Sequence, residues 1–330
     1  MSSRDSAARD LGTLEGRGVL VIGDLILDHY LEGEVERISP EAPVPVVALK
    51  PGGERSVPGG AANVAMNVAS LGGRPMIAGL TGDDADGSML LDLLGAAGIE
   101  TSAVMADRSR PTTSKTRIVS RNQQILRIDR EVTDTPDEAV GNSLLVAVTG
   151  LLDRCDAVLF EDYDKGCISP GLIATVVSEC RTRGIPVAVD PKFRNFLAYQ
   201  GCTLVKPNRL EASRITGMEI RGPRDAAAAA RVLLGRLGAT AVLVTLGEQG
   251  SVLAVEGREP VSRPTAARRV YDVSGAGDTV IAVMALGIAA SLGFERSAEL
   301  ANLAAAAVCA VPGVYAVKPA DILREMRDEL

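Results

Sequence analysis

The sequence predicts an α/β fold organised around a mostly parallel sheet, and three observations lead there. Short β-branched runs recur along the chain with helical patterns between them, the alternation expected of βαβ units. A hydrophobic share of 46% against 23% charged, over 330 residues, supplies apolar surface for one large α/β core or two domains. Two further segments break the βαβ rhythm and have the composition of a small sheet standing off the main body.

The first strand is expected at Val19 to Ile22, and others at Pro75 to Gly79, Ala157 to Phe160, Val187 to Val189, Thr203 to Val205 and Ala241 to Val244. Helices are expected at Ala61 to Leu71, Gly87 to Ala97, Asp137 to Leu152, Pro170 to Arg183, Asp225 to Leu237, Thr279 to Leu292 and Ser297 to Val311. The run Ala226 to Ala230 is good helix composition, alanine being the strongest helix former. Residues 1–15 are polar and are expected to be poorly ordered, as chain ends usually are, leaving residues 16–330 as the folded domain.

The first segment out of rhythm is Leu31 to Leu49, where Pro40, Pro43 and Pro45 punctuate a strand-like sequence; prolines belong at sheet edges or bulges. The second is Thr112 to Glu131, where the runs Thr113 to Ser120 and Gln124 to Ile128 flank the turn Arg121-Asn122-Gln123. Together, residues 31–49 and 112–131 predict a small sheet serving as a lid, or as a dimer contact that hides its own edges.

Composition narrows the function. A net charge of -7 and no Trp argue against a nucleic-acid partner, which needs a basic face or stacking platforms. An anionic metabolite remains open, since it requires only a few placed cations. Five scattered cysteines without a Cys-x-x-Cys pair disfavour a disulfide framework and a thiolate zinc site, and fit a reduced cytosol. No apolar run reaches a membrane-spanning length, and no secretory leader is visible. His29 is the only histidine, so acid–base chemistry falls to carboxylates.

The most informative motif is Asp272-Val273-Ser274-Gly275-Ala276-Gly277-Asp278, which leads into the apolar run from Thr279 to Leu292. Backbone N–H groups at a helix start lack intrahelical partners and lie at the positive end of the helix dipole, so they attract phosphate. Gly275, Ala276 and Gly277 then form an anion hole, and Asp278 is a base beside it; an Asp after a turn is also a common N-cap. Pro58-Gly59-Gly60-Ala61-Ala62-Asn63 lets backbone amides approach a polyol, with Asn63 adding a donor and an acceptor. Asp24 and Asp28 follow the first strand, at the end where open α/β sheets bind ligands. Asn208 and Glu211, in Lys206-Pro207-Asn208-Arg209-Leu210-Glu211, are spaced either to face Mg²⁺ through water or to cap a helix. The loop Thr245-Leu246-Gly247-Glu248-Gln249-Gly250 follows a strand and can carry a nucleotide. Neither a Walker A pattern nor a Gly-x-Gly-x-x-Gly after the first strand is present.

Taken in order, Gly59-Gly60-x-x-Asn63, Asn208-x-x-Glu211 and Asp272-x-x-Gly275-Ala276-Gly277-Asp278 resemble the PfkB/ribokinase family of carbohydrate kinases, from about Val19 onward. The resemblance implies a ribokinase-like three-layer α/β/α sandwich with a small β-sheet lid. Within the family, Arg37 to Val46, Ser120 to Asp129, Asp162-Tyr163-Asp164-Lys165-Gly166 and Asp190-Pro191-Lys192 are similar to the heptose 7-phosphate kinases of ADP-heptose synthesis, which feed lipopolysaccharide core synthesis. Many relatives carry a second, cytidylyltransferase-like half; this chain is expected to supply the kinase alone.

The exposed edges of the lid point to a homodimer formed through it, and the resemblance implies ATP as co-substrate, Mg²⁺ and a monovalent cation such as K⁺. It assigns Asp24, Asp28, Gly59, Gly60, Asn63, Asp162 and Asp190 to the sugar, with Lys192, Arg121 and Lys115 as cations for its phosphate. Lys206, Asn208, Glu211, Thr245, Gly247, Gly250 and Asn302 fall to the nucleotide, and Asn208 and Glu211 to the metal through water. Val273 and Ser274 replace the threonines common in the family's terminal motif, which bears on the monovalent cation. The alternatives are a kinase for fructose 6-phosphate, tagatose 6-phosphate or a pentose, a non-catalytic sugar-binding protein on the same fold, and, more distantly, a nicotinamide-dependent Rossmann enzyme.

Overall fold

The structure is a computed structural model that describes residues 3–121, 123–267 and 269–326. Its strands are β1 (Gly18–Gly23), β2 (Leu25–Ile38), β3 (Pro45–Gly60), β4 (Arg74–Thr81), β5 (Glu100–Ala106), β6 (Thr113–Ser120), β7 (Gln123–Arg130), β8 (Ala157–Glu161), β9 (Val187–Asp190), β10 (Leu204–Val205), β11 (Ala241–Thr245), β12 (Ser251–Val255) and β13 (Val261–Arg263). The helices are α1 (Ser3–Thr13), α2 (Ala61–Ser70), α3 (Ala85–Ala96), α4 (Glu138–Leu151), α5 (Pro170–Arg183), α6 (Arg209–Thr216), α7 (Pro223–Leu237), α8 (Ala276–Ala289), α9 (Phe294–Cys309) and α10 (Pro319–Glu325). None is long and apolar enough to cross a membrane.

Strand β1 is buried along its whole length, as a strand must be when helices cover both faces of its sheet. The main sheet runs β13-β12-β11-β10-β9-β8-β1-β4-β5, parallel except where β12 pairs antiparallel with β11 and β13. Alternation divides the core. Val19, Val21 and Leu159 pack with Val64, Ile281 and Leu300 of α2, α8 and α9, whereas Leu20, Ile22 and Phe160 pack with Leu144, Ile173 and Leu233 of α4, α5 and α7. This is the three-layer α/β/α architecture.

The two segments out of rhythm meet in a second sheet, ordered β3-β2-β6-β7. β2 pairs antiparallel with β3 and parallel with β6, and register shifts in β2 mark its irregular outer half. Asn122, in the turn expected between β6 and β7, lies outside the described residues.

The chain start differs from expectation. Instead of a poorly ordered segment at residues 1–15, Ser3–Thr13 forms α1, with Ala7, Leu11 and Leu14 in the core. Their i, i+4, i+7 spacing is an apolar stripe inside a polar composition; Met1 and Ser2 lie outside the described residues. Strands β5, β12 and β13 and helix α10 are additions to the expected set. All five cysteines are free.

Candidate active site

Strands β1, β8 and β9 end side by side at Gly23, Glu161 and Asp190, and α8 starts above those ends, where open α/β sheets gather ligands. Gly275 caps α8 with φ +77°, a left-handed conformation that favours glycine. Its missing side chain is needed twice over, because a Cβ there would come within 2.8 Å of Asn63 Nδ2. A Cβ at Gly277 would lie 3.4 Å from Lys206 Nζ, so the loop can rest directly against an ammonium. Asp272 anchors the loop by accepting from the Ser274 and Gly313 amides at 2.9 and 3.0 Å. Of the three expected anion-hole amides, that of Ala276 is turned back onto Val273 O at 3.2 Å.

Asp278 is 5% exposed and accepts two hydrogen bonds, from Asn63 Nδ2 to Oδ2 at 2.7 Å and from the Tyr163 hydroxyl to Oδ1 at 2.8 Å. Asn63 is itself held by Asn67, whose amide donates to Asn63 Oδ1 at 3.2 Å and whose Oδ1 accepts from Thr279 and from the Val317 amide. Burial pushes the Asp278 carboxyl above the usual carboxylate range; the Asn63 and Tyr163 hydrogen bonds oppose that, Asp190 adds to it, and Lys206 opposes it.

Below Asp278, the carboxylates of Glu161, Asp190 and Asp278 each place an oxygen within 4.8 Å of the others. Asp190 is paired with the buried Lys206 at 2.7 Å. Burial works against the Lys206 charge, but Asp190 and Glu161 outweigh it and hold that ammonium more strongly protonated than usual. Glu161 Oε2 is buried without a hydrogen-bond partner, and burial, with Asp190 and Asp278 beside it, raises that carboxyl well above its normal range.

A cleft of about 920 Å³ opens from this point. Asp278, Gly275, Ala276, Gly277, Asp190, Lys192, Lys206, Asn208, Thr245, Gly247, Gly250 and Asn302 all line it, so the sequence motifs for anion, base and nucleotide converge. Its far wall is apolar, formed by Leu243, Val280, Ala298 and Ala305. The Asn302 amide is engaged with Pro264 O at 2.8 Å. Gly250, φ +86°, lets the 245–250 loop close against Arg263 O, where a Cβ would clash at 2.0 Å.

Several assignments are corrected by what the side chains touch. Asn208 and Glu211 form a capping box at α6, and Glu211 spends its other oxygen on Lys192 Nζ at 2.6 Å. Lys192 therefore lines the cleft, over the Tyr163 ring at 5.0 Å, and is not a free cation for a sugar phosphate. Asp24 is 2% exposed and does not face a sugar: the Tyr163, Lys165 and Cys167 amides donate to it at 2.7, 3.1 and 3.2 Å, fixing the loop after β8. Asp162 is likewise internal, accepting from the Asp164 amide, Asn195 and Tyr199. Lys115 is shared between Asp129 and Glu131, both at 3.5 Å, and Arg121 is exposed at the end of β6 with φ +49°.

Asp28 lies against Gly59, where a Cβ would meet its Oδ2 at 2.4 Å; Gly60, φ +56°, caps α2. Its partner is Arg117, Nη1 to Oδ1 at 2.6 Å, a residue not singled out in the sequence. Tyr163 was quoted in the sequence only within the stretch Asp162 to Gly166 and given no role of its own, and Glu161 was missed; its signal was position alone, at the carboxyl end of a buried strand.

The pfkB family carbohydrate kinase description matches residues 17–321. "Bifunctional protein HldE" of Desulfatibacillum aliphaticivorans is 39% identical over 329 residues, covering 100% of this chain and 67% of that protein. The protein of the same name from Caulobacter sp. (strain K31) is 44% identical over 314 residues, covering 95% and 63%. The chain thus spans about two thirds of the length of the curated relatives it matches. Among solved structures, Arabidopsis thaliana ribokinase complexed with ribose and ATP superposes with a TM-score of 0.74 at 22% identity, covering 94% of this chain and 98% of that one. Escherichia coli phosphofructokinase-2 in complex with fructose-6-phosphate gives 0.75 at 20%, covering 94% and 97%. These two likenesses establish the ribokinase-like fold. With the family match running through both the Gly275 to Asp278 loop and the cleft it faces, the chain belongs to the pfkB family of carbohydrate kinases, ATP-dependent enzymes that phosphorylate sugars.

Proposed function

We propose that this kinase transfers the γ-phosphoryl group of ATP to the anomeric hydroxyl of D-glycero-β-D-manno-heptose 7-phosphate, giving the 1,7-bisphosphate, within ADP-heptose and lipopolysaccharide core synthesis. Asp278 is the observation that carries it: a carboxylate held from both sides at a glycine-loop helix start, open to a nucleotide-sized cleft. It takes the hydroxyl proton as the sugar oxygen bonds to the γ-phosphorus and the bond to the β,γ-bridging oxygen breaks, releasing ADP. The Gly275 and Gly277 amides and Lys206 face the charge that develops on the phosphoryl oxygens. Asp28, Gly59, Gly60 and Asn63 hold the sugar hydroxyls.

The family implies a divalent metal, for which we propose Mg²⁺. The residues fit: Glu161 and Asp190 offer hard oxygen donors, one of them a buried orphan, while Asp278 stays free for the proton. When bound, Mg²⁺ neutralises charge on the phosphate oxygens. Glu211 would approach such an ion only through water, its two oxygens already accepting from Asn208 and Lys192.

The sugar is supported by the stretches Arg37 to Val46 and Ser120 to Asp129 and by 39–44% identity to the bifunctional proteins over most of the chain. The test is turnover with ATP on heptose 7-phosphate beside fructose 6-phosphate, tagatose 6-phosphate and a pentose, read by coupled ADP detection. A preference for any of the last three overturns the heptose assignment and leaves the kinase chemistry standing. As protein partner we propose a second copy, seated on the outer face of the second sheet.

A further inference from the structure

Strand pairing places a set of charges on one face of the second sheet. Tyr30 of β2 is opposite Arg55 of β3 and Arg117 of β6, and Asp28 is opposite Lys115; directly paired residues share a face. The contacts agree. The Arg55 and Arg117 guanidinium carbons lie 4.6 and 5.3 Å from the Tyr30 ring centroid, one on each neighbouring strand, and Arg117 reaches Asp28.

This face looks toward the phosphoryl-transfer loop. A Cβ at Gly313 would come within 2.7 Å of Arg55 Nη2 and 3.8 Å of the Tyr30 hydroxyl, and the Gly313 amide is the one bound by Asp272. A Cβ at Gly275 would touch Val314, the next residue, at 3.7 Å. The cations are unequally spent. Lys115 is taken by Asp129 and Glu131, and Arg117 by Asp28, which leaves it further N–H donors; Arg55 has no carboxylate within ion-pair range among the described residues. The Tyr30 hydroxyl between them is buried beside the Val314 amide, and no acceptor takes its proton. An exposed guanidinium lacking an acid, a second with donors to spare and a hydroxyl whose proton is unclaimed, all beside the sugar-side Asp28, make a receptor for a doubly charged oxyanion.

We propose that Arg55, Tyr30 and Arg117 bind the terminal phosphate of the sugar substrate, in the place the sequence reading gave to Lys192, Arg121 and Lys115. This rests on the substrate being a sugar phosphate. Arg55 and Arg117 stand on the second sheet and Asn63 on α2 of the main body, so a sugar phosphate held at both ends bridges the two.

The test uses the full chain, with Arg55→Met and Arg55→Lys, on heptose 7-phosphate and on the same heptose without phosphate. Arg55→Met is expected to lower the ratio of kcat/KM for the phosphorylated over the unphosphorylated sugar at least about 30-fold, and Arg55→Lys to recover part of it. Inorganic phosphate should compete with the sugar phosphate in the wild type and compete far less in Arg55→Met. An unchanged ratio, or equal losses on both sugars, overturns the proposal; equal losses would place these cations on the phosphoryl group in transfer. Should the wild type prefer another sugar phosphate, the same comparison on that sugar keeps the fate of the heptose assignment separate from that of the anion site.

Discussion

The side-chain amide of Asn63 donates to Oδ2 of Asp278 at 2.7 Å, joining residues 215 apart in sequence, one in the first turn of α2 and the other in the first turn of α8. The glycine turn that starts each helix is what brings them together. With Tyr163 on its other oxygen, Asp278 is held in one orientation, its charge facing the cleft. A base so placed contributes by removing the proton as the new bond forms, an effect of about 10²- to 10⁴-fold. Asp278→Asn keeps the shape and loses the proton acceptor, so kcat is expected to fall at least about a hundredfold with the KM for ATP and the melting temperature little altered. Steady-state kinetics beside a thermal melt would check this; near-normal turnover removes Asp278 from the chemistry.

Asp24 gives a prediction about stability. Burial, with Asp162 beside it, raises its pKa from 3.8 to about 6, against the three amides that donate to it. A carboxyl raised in the folded state contributes stability that is fully present below pH 3.8 and is lost as pH rises through about 6. Between pH 4 and pH 7.5 the wild type is therefore expected to lose roughly 2–3 kcal/mol that Asp24→Asn does not lose, since the amide never ionises. Urea midpoints of both proteins at the two pH values measure the difference, and other titrating groups largely cancel in it. Parallel slopes would show that Asp24 titrates normally.

Much of the fold was legible because the central strands are apolar on both faces: Val19 to Ile22 and Ala157 to Phe160 can only be interior parallel strands. Edge elements were not. β5 is half-exposed and mixed in composition, and the stripe Ala7, Leu11, Leu14 is hidden among charged neighbours. In the site, Asp278 and its glycines were legible because their chemistry is local to one turn. The work of Asp24 was not, because one of its donors, the Cys167 amide, comes from 143 residues away and leaves no trace in the nearby sequence. Arg117 and Glu161 were missed for a related reason. A single charge in a strand resembles a solvated face until the partner strand is known.

The outer face of the second sheet makes the oligomer testable. Leu126 and Ile128, two apart on β7 and so on one face, are 52% and 51% exposed. An apolar sheet face next to open strand edges invites a second copy, and a twofold pairing would cover both patches at once. Light scattering is expected to give a dimer for the wild type and a monomer for Leu126→Glu/Ile128→Glu, since each interface would then bury four carboxylates. A monomeric wild type, or a variant of unchanged mass, refutes the contact.

Glu161 separates two explanations of the acidic centre. It is 1% exposed, lies with Asp190 and Asp278 inside 4.8 Å, and has an oxygen with no partner, an arrangement whose self-repulsion Lys206 and Lys192 offset only in part. Lys206 is already committed to Asp190, so the protein's own cation answers only part of the charge. If the remainder serves a bound metal, Glu161→Gln should be better folded without metal and worse at using it. The apo protein is expected to melt about 2 °C or more higher once the like-charge repulsion is gone, while the Mg²⁺ concentration giving half-maximal rate rises about tenfold and the KM for the sugar stays near its original value. A higher melting temperature with an unaltered Mg²⁺ requirement would instead mean that Glu161 simply carries a proton in the folded state and that the metal is held elsewhere in the cleft.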